Sequence, residues 1–105
     1  MQYLDQAERG DAEAQYNLGM AYFRGDGVLE DRAQSAVWYR RAAEQGHADA
    51  QYNLGRCYEY GYGVARDLAE ALRWYDRAAR QGESLSELVL EAFFRHGDSP
   101  DRGGA

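Results

Sequence analysis

Apolar residues recur at steps of four along two stretches of the chain, which is the spacing of one face of an α-helix. The two stripes are Ala14, Leu18 and Tyr22, and then Ala50, Leu54 and Tyr58. Each stripe stops at a glycine pair, in Gly25-Asp26-Gly27 and in Gly61-Tyr62-Gly63, where the backbone can take the angles of a tight turn. The pattern therefore predicts two helices, each followed by a turn.

A second helix is predicted after each of these turns. Asp31 is followed three residues later by Gln34, and Asp67 by Glu70. This is the spacing of a capping box, in which the two side chains satisfy free amides at the start of a helix. The inner faces of the two helices are then Trp38, Tyr39, Ala42 and Ala43, and Trp74, Tyr75, Ala78 and Ala79.

The two helical hairpins are copies of one unit. Residues 11–46 align with residues 47–82 without a gap, and 20 of the 36 positions are identical. A repeat of this length is typical of a solenoid. Each copy ends on a glycine and keeps another in its first helix, Gly19 or Gly55, where glycine costs ~1 kcal/mol relative to alanine. These two glycines predict that the helices of each hairpin approach closely.

The same register accounts for both ends of the chain. Residues 3–10 align with residues 39–46, so the chain opens on the end of a second-type helix. Ser84 and Glu87 form a further capping box. They begin a first-type helix whose predicted packing positions are Ser86, Leu90 and Phe94. The prediction is a single all-α domain over 1–97, with repeat 1 at 11–46, repeat 2 at 47–82, a half repeat at 83–97, and a disordered tail at 98–105.

The unit AxAQYNLGxxYxxGxGVxxDxAxxxxWYxRAAxQG closely resembles the Sel-1-like repeat (SLR), a relative of the tetratricopeptide repeat (TPR). The resemblance covers residues 2–97. It implies a right-handed α-solenoid of about two and a half helix-turn-helix repeats that assembles protein complexes, often in bacteria, without enzymatic activity. Some bacterial members pin each hairpin with a cysteine pair. This chain has one cysteine, Cys57, so the cysteine-rich exported branch is not expected and Cys57 is predicted to be a small buried hydrophobe.

Charge and composition narrow the function classes. A net charge of −6 argues against binding nucleic acid or an anionic membrane, because both require a basic surface. The first ten residues lack a basic segment followed by an apolar one, which predicts a cytoplasmic protein unless a leader has been trimmed. His47 and His96 are expected at the surface, with no ligands grouped at metal spacing, and no nucleophile is paired with a base. We therefore predict no metal, no cofactor and no enzyme.

One side of each first-type helix is a candidate binding surface. At 100° per residue, four residues of each helix fall within about 60° of one another, away from the packing stripe. These residues are Glu13, Asn17, Met20 and Arg24, and then Asp49, Asn53, Arg56 and Tyr60. The resemblance implies that this side lines a concave groove, where Asn17 and Asn53 hold a peptide backbone and Arg24 and Arg56 meet a carboxylate. Because Asn-Leu-Gly also belongs to the signature of the repeat, a role of the asparagines in the fold stays open.

The last helix is apolar over roughly 240° of its circumference, well beyond the stripe of ~100° that a surface helix needs. An exposed apolar patch of this kind usually marks an interface. We expect five residues to contact a second copy of the chain, as in a homodimer, or another protein: Leu85, Leu88, Val89, Ala92 and Phe93. The alternative is that residues 97–105 or the first helix fold back over them.

These observations predict a protein-binding adaptor, scaffold or regulator that uses the groove and the apolar last helix. Two alternatives remain open at this stage. One is a dedicated inhibitor, such as an immunity protein, whose acidic charge would suit a basic partner. The other is a structural piece of a longer repeat array.

Overall fold

In the computed structural model, which describes residues 3–97 except for the side chains of the last two, the chain forms six α-helices. The helices are α1 (Leu4–Glu8), α2 (Ala12–Arg24), α3 (Arg32–Glu44), α4 (Ala48–Tyr60), α5 (Leu68–Arg80) and α6 (Ser84–Ala92). A π-helical turn, Phe93–Gly97, continues α6. Each helix packs on the helices before and after it in the chain, so α2–α3 and α4–α5 form hairpins. The result is the predicted all-α solenoid, with extents of 53 × 26 × 16 Å. The tail predicted at 98–105 lies outside the described residues.

The helix starts follow the repeat register. The Asp31 carboxylate accepts a hydrogen bond from the Gln34 amide at 3.0 Å, and Asp67 caps α5 in the same way. The prediction that Ser84 caps α6 was wrong. Glu83 is the cap, and its carboxylate accepts from the amides of Ser86 at 2.7 Å and Leu85 at 3.3 Å. Glu83 lies 36 residues after His47, which caps α4, so one position of the unit caps successive first-type helices.

The mid-helix glycines allow the close approach that their positions predicted. A Cβ atom on Gly55 would lie 2.8 Å from two ring carbons of Tyr75, and one on Gly19 would lie 2.6 Å from the ring of Tyr39. Both distances are shorter than van der Waals contact. Each glycine therefore lets the second helix of its hairpin seat a tyrosine ring directly on the backbone of the first.

The core is built from small residues on the facing helices and from the duplicated aromatic residues. Leu18 and Trp38 belong to a cluster between α1 and the first hairpin, and Leu54 and Trp74 belong to one that spans the two hairpins. Cys57 is also fully buried, as predicted, and burial raises the pKa of its thiol to about 11. A thiol in this environment stays protonated at neutral pH and packs as an apolar group.

Buried glutamines connect consecutive units, which the sequence analysis did not foresee. The Gln51 side-chain amide donates to the main-chain carbonyl of Ala43 at 3.1 Å, and its oxygen accepts from Gln81 Nε2 at 3.0 Å. Gln81 Nε2 also contacts the carbonyl of Gly46 at 2.8 Å. The preceding joint repeats this set with Gln15 and Gln45. The joints therefore combine apolar packing with a fixed set of hydrogen bonds.

The half repeat lacks the joint glutamine and the mid-helix glycine of the two complete units, and both differences lie in α6. Exposed Glu87 takes the position of Gln51, and exposed Glu91 takes the position of Gly55. Ser86 is buried and Leu90 is half-buried, as predicted, but the prediction that Phe94 packs inside was wrong, since its side chain is 62% exposed. The physical reason is that no second helix lies opposite α6 within residues 3–97, and the helix changes to a π-helical turn at Phe93.

Candidate protein-binding groove

Three of the four predicted groove residues of α2 line a cavity of about 370 Å³. Asn17, Met20 and Arg24 form one wall. Tyr3 and the turn residues Asp26 and Gly27 complete the lining together with Ala21. This first cavity lies against α1 and at the turn that follows α2, so the groove extends toward the N-terminal end of the solenoid.

A second cavity, of about 210 Å³, lies where α4 follows α2. It shares Met20 and Arg24 with the first cavity, and α4 adds Asn53 and Arg56. The first two cavities are therefore neighbours, with Met20 and Arg24 lining both. None of the ion pairs formed within residues 3–95 includes Arg24 or Arg56.

Aromatic side chains form the remaining walls of the second cavity. They are Tyr16, Phe23, Tyr39 and Tyr62. Phe23 and Tyr62 meet edge to face with ring centroids 5.2 Å apart, and the Arg32 guanidinium lies 4.4 Å from the Phe23 centroid. Burial raises the pKa of Tyr39 to about 12, so its phenol stays neutral at physiological pH. None of the four was predicted for the groove. Tyr39 comes from α3 and Tyr62 from the turn after α4, whereas Tyr16 and Phe23 lie on α2 but outside the predicted 60° face.

A third cavity, of about 410 Å³, lies between α4, α5 and α6. It brings Tyr60, predicted for the groove, together with Val89, Ala92 and Phe93, which were predicted as a separate interface. Its other lining residues are Glu59, Leu68, Leu72 and Tyr75. We call this space the α6 cavity.

The repeat register shows that the α6 cavity is the second cavity moved by one unit. Tyr75 takes the place of Tyr39, while Val89 and Ala92 take the places of Asn53 and Arg56. The geometry of the site is therefore repeated, but its amide and guanidinium groups are replaced by apolar ones. This register was visible in the sequence and could have identified the cavity.

Two predicted groove residues line none of these cavities. Asp49 is exposed on α4. Glu13 instead contacts His47, whose Nε2 lies 2.7 Å from Glu13 Oε1. The expectation that His47 is a surface residue was wrong, since its side chain is only 15% exposed. Its Nδ1 accepts from the Ala50 amide at 3.1 Å, and its ring stacks on Tyr16 at 4.6 Å between centroids, so it joins two units.

The remaining residues of the predicted interface are exposed on α6, the last α-helix among the described residues. Leu85 and Leu88 are 49% and 59% exposed. Their register equivalents in the first unit, Glu13 and Tyr16, contact His47 at the start of the next unit. Leu85 and Leu88 thus occupy positions that contact the next unit in the first repeat.

The comparison with known families decides the identity of the fold. Residues 12–47 and 48–83 match the model of the Sel1 repeat, one unit each. The chain belongs to the Sel1 repeat family. Proteins built from Sel1 repeats are generally protein-interaction modules without catalytic activity, and their partners are proteins.

Solved Sel1 repeat structures show the same architecture. A Sel1 repeat protein from Oxalobacter formigenes is 46% identical with a TM-score of 0.81, over 82% of this chain and 65% of that one. The protein c5321, a protective antigen present in uropathogenic Escherichia coli strains displaying an SLR fold, is 42% identical with a TM-score of 0.87, over 91% of this chain and 21% of that one.

A third structure, the cysteine rich protein B (hcpB) of Helicobacter pylori, shares the fold at 24% identity and a TM-score of 0.75, over 78% of this chain and 62% of that one. This Sel1 repeat chain thus spans less than two thirds of the length of each of the three. No curated protein sequence matches it. Within residues 3–97, no helix is both long and apolar enough to cross a bilayer.

Proposed function

We propose that this chain is a non-enzymatic adaptor that binds an extended segment of a partner protein along the groove formed by α2, α4 and α6. The observation that carries the proposal is the succession of three cavities along first-type helices, two of which share Met20 and Arg24. A row of cavities at the repeat spacing suits an extended chain, which presents a side chain every ~3.3 Å.

The polar groups of the groove have the chemistry that such a segment requires. A side-chain amide both donates and accepts hydrogen bonds, so Asn17 and Asn53 can pair with main-chain groups of any sequence. Arg24 and Arg56 can bind a carboxylate without first breaking an ion pair within the described residues. The groove therefore favours a segment with an acidic residue near the junction of α2 and α4.

A displayed library of random 12-residue peptides, selected on the full chain, tests this proposal. We expect enrichment of peptides whose affinity falls about tenfold in each of the variants Asn53→Ala and Arg56→Ala, because each removes a charged or amide partner. The matched control is Asp49→Ala, which changes an exposed residue of the same helix and should alter affinity less than twofold. Selection of no peptide, or equal binding by all three variants, would contradict groove binding.

The exposed surface of α6 supports a second contact, with Leu85 and Leu88 as its centre. Exposed leucines at positions that pack on a neighbouring unit elsewhere favour association with a second copy or with another protein. Light scattering across a concentration range separates these two outcomes. A dimer that dissociates in Leu88→Gln identifies a homodimer, whereas a monomer at every concentration leaves the surface for a different protein.

The two alternative functions make different predictions in the same experiments. A dedicated inhibitor binds one folded protein tightly and selects no short peptide. A structural piece of a longer array stacks a further repeat on α6, and such a repeat has to accommodate Glu87 and Glu91 at positions where the other units carry glutamine and glycine. A cytoplasmic location remains a prediction.

A further inference from the structure

We infer that the α6 cavity receives an arginine or lysine side chain of the segment bound in the groove. This inference rests on the proposed function and names the specificity of one part of the groove. It would make that part of the surface selective for a basic residue, although the preceding part is lined by two arginines.

The walls of the α6 cavity suit the stem of a long side chain. Leu68, Leu72, Val89 and Phe93 present apolar surface, and the cavity volume is about 410 Å³. Arginine and lysine bury their methylene stems along such surface while the charged head reaches a polar group. Tyr60, whose side chain is largely exposed, adds an aromatic ring at which a cation is attracted.

Glu59 supplies the polar group. Its Oε1 accepts a hydrogen bond from the Tyr75 hydroxyl at 2.6 Å, which fixes the carboxylate in the cavity wall. Within residues 3–95 no arginine or histidine forms an ion pair with this carboxylate. Arg66 donates to the main-chain carbonyl of Glu59 instead, at 2.8 Å.

A neutral ligand would be a poor match for this group. A purely apolar side chain that fills the cavity removes water from the half-buried carboxylate without offering it a partner, which is costly. A guanidinium or ammonium group compensates that loss with a charge-assisted hydrogen bond. The net charge of −6 also attracts a basic segment at longer range.

The comparison of the two units gives an independent reason. In the first unit, Arg32 places its guanidinium over Phe23 at 4.4 Å, so the chain itself provides a cation at this site. In the second unit, the register replaces Phe23 by Glu59 and Arg32 by Leu68. The second unit therefore has a carboxylate where the first has an aromatic ring, and it lacks the internal cation, so a cation of the partner is the complementary group.

Selection of the same 12-residue peptide library on wild type, Glu59→Gln and Glu8→Gln tests the inference. Glu59→Gln keeps an oxygen that can accept from Tyr75, and Glu8→Gln makes the same charge change at an exposed position of α1. We expect arginine or lysine to be enriched at one peptide position on wild type and on Glu8→Gln, and not on Glu59→Gln. In a selected peptide, replacing that basic residue by methionine should weaken binding to wild type about tenfold and to Glu59→Gln less than twofold.

The outcomes separate the inference from the proposal on which it rests. Peptides that bind the groove without a basic preference, or that keep it on Glu59→Gln, overturn the α6 assignment and leave groove binding intact. Selection of no peptide overturns both. Concentration-dependent dimerisation that Glu59→Gln abolishes would show that a second copy occupies the cavity, which also overturns the inference. In Leu68→Arg, which restores the internal cation of the first unit, the selected peptide should bind about tenfold more weakly.

Discussion

Replacing Gly55 by alanine sets helix propensity against packing, and the structure decides which effect is larger. Alanine stabilises a helix interior by ~1 kcal/mol relative to glycine. The added Cβ would lie 2.8 Å from two ring carbons of Tyr75, whose side chain is 1% exposed. That ring cannot move away easily, because its hydroxyl is held by Glu59 at 2.6 Å.

Overpacking of this kind costs about 1 to 3 kcal/mol, so we expect a net loss of roughly 1 kcal/mol in Gly55→Ala. For a domain of this size the midpoint of thermal unfolding should fall by about 4 to 8 °C per kcal/mol. Urea unfolding followed by far-UV circular dichroism measures the free energy directly, and the slope of the transition should not change.

The equivalent position in α6 provides the control. Glu91 is exposed there, so the variants Glu91→Ala and Glu91→Gly compare alanine with glycine at a helical position without a buried ring against it. The alanine variant should be the more stable of the two. When Tyr75 is first replaced by leucine, the further change Gly55→Ala should no longer lower the free energy of unfolding. If Gly55→Ala is as stable as wild type or more so, the close approach of the helices does not require glycine and the reasoning is refuted.

Two further predictions concern the joints and the buried titratable groups. Gln51→Ala removes the hydrogen bonds to Ala43 and Gln81 and should cost roughly 1 to 2 kcal/mol in urea unfolding. Gln34→Ala should change little, because the exposed Gln34 side chain does not make the predicted capping bond and the Asp31 amide donates to the Tyr22 carbonyl instead. Burial raises the pKa of Cys57 from 9.0 to about 11 and that of Tyr39 from 10.0 to about 12, so the folded state keeps protons that the unfolded chain releases. The contribution of these two groups to the free energy of unfolding should therefore be complete below about pH 9 and should fall as the pH rises toward 12. A urea midpoint that stays constant from pH 8 to pH 11 would contradict this.

The fold was predictable because the apolar spacing, the helix caps and the turn residues all indicate the same helical hairpins. The apolar stripes, the caps of α3 and α5 and the glycine turns repeat at one period, so a chance pattern in one unit is checked by the next. Two errors, the cap of α6 and the position of Phe94, fall where the repeat is incomplete. Phe94 was assigned to the interior by register, but the second helix that would cover it is absent from residues 3–97.

The candidate site was predictable only in part. Helical angles, which depend on a single helix, grouped Asn17, Met20 and Arg24, and these three residues line one cavity. They could not show that Glu59 and Leu68 share a cavity with Val89, since that depends on how three helices pack. The same limit explains why His47 was expected at the surface, although its contacts with Glu13 and Tyr16 bury it.

The glutamine joints have a consequence for how such a chain can change over time. The residues that hold one unit to the next, such as Gln15 and Gln51, are identical in the two copies. Two groove positions differ between the copies, since Met20 is replaced by Arg56 and Arg24 by Tyr60. Because these two positions are separate from the glutamines of the joints, they can change while the hydrogen bonds that stack the units are kept, and an engineer can vary them without altering Gln15 or Gln51.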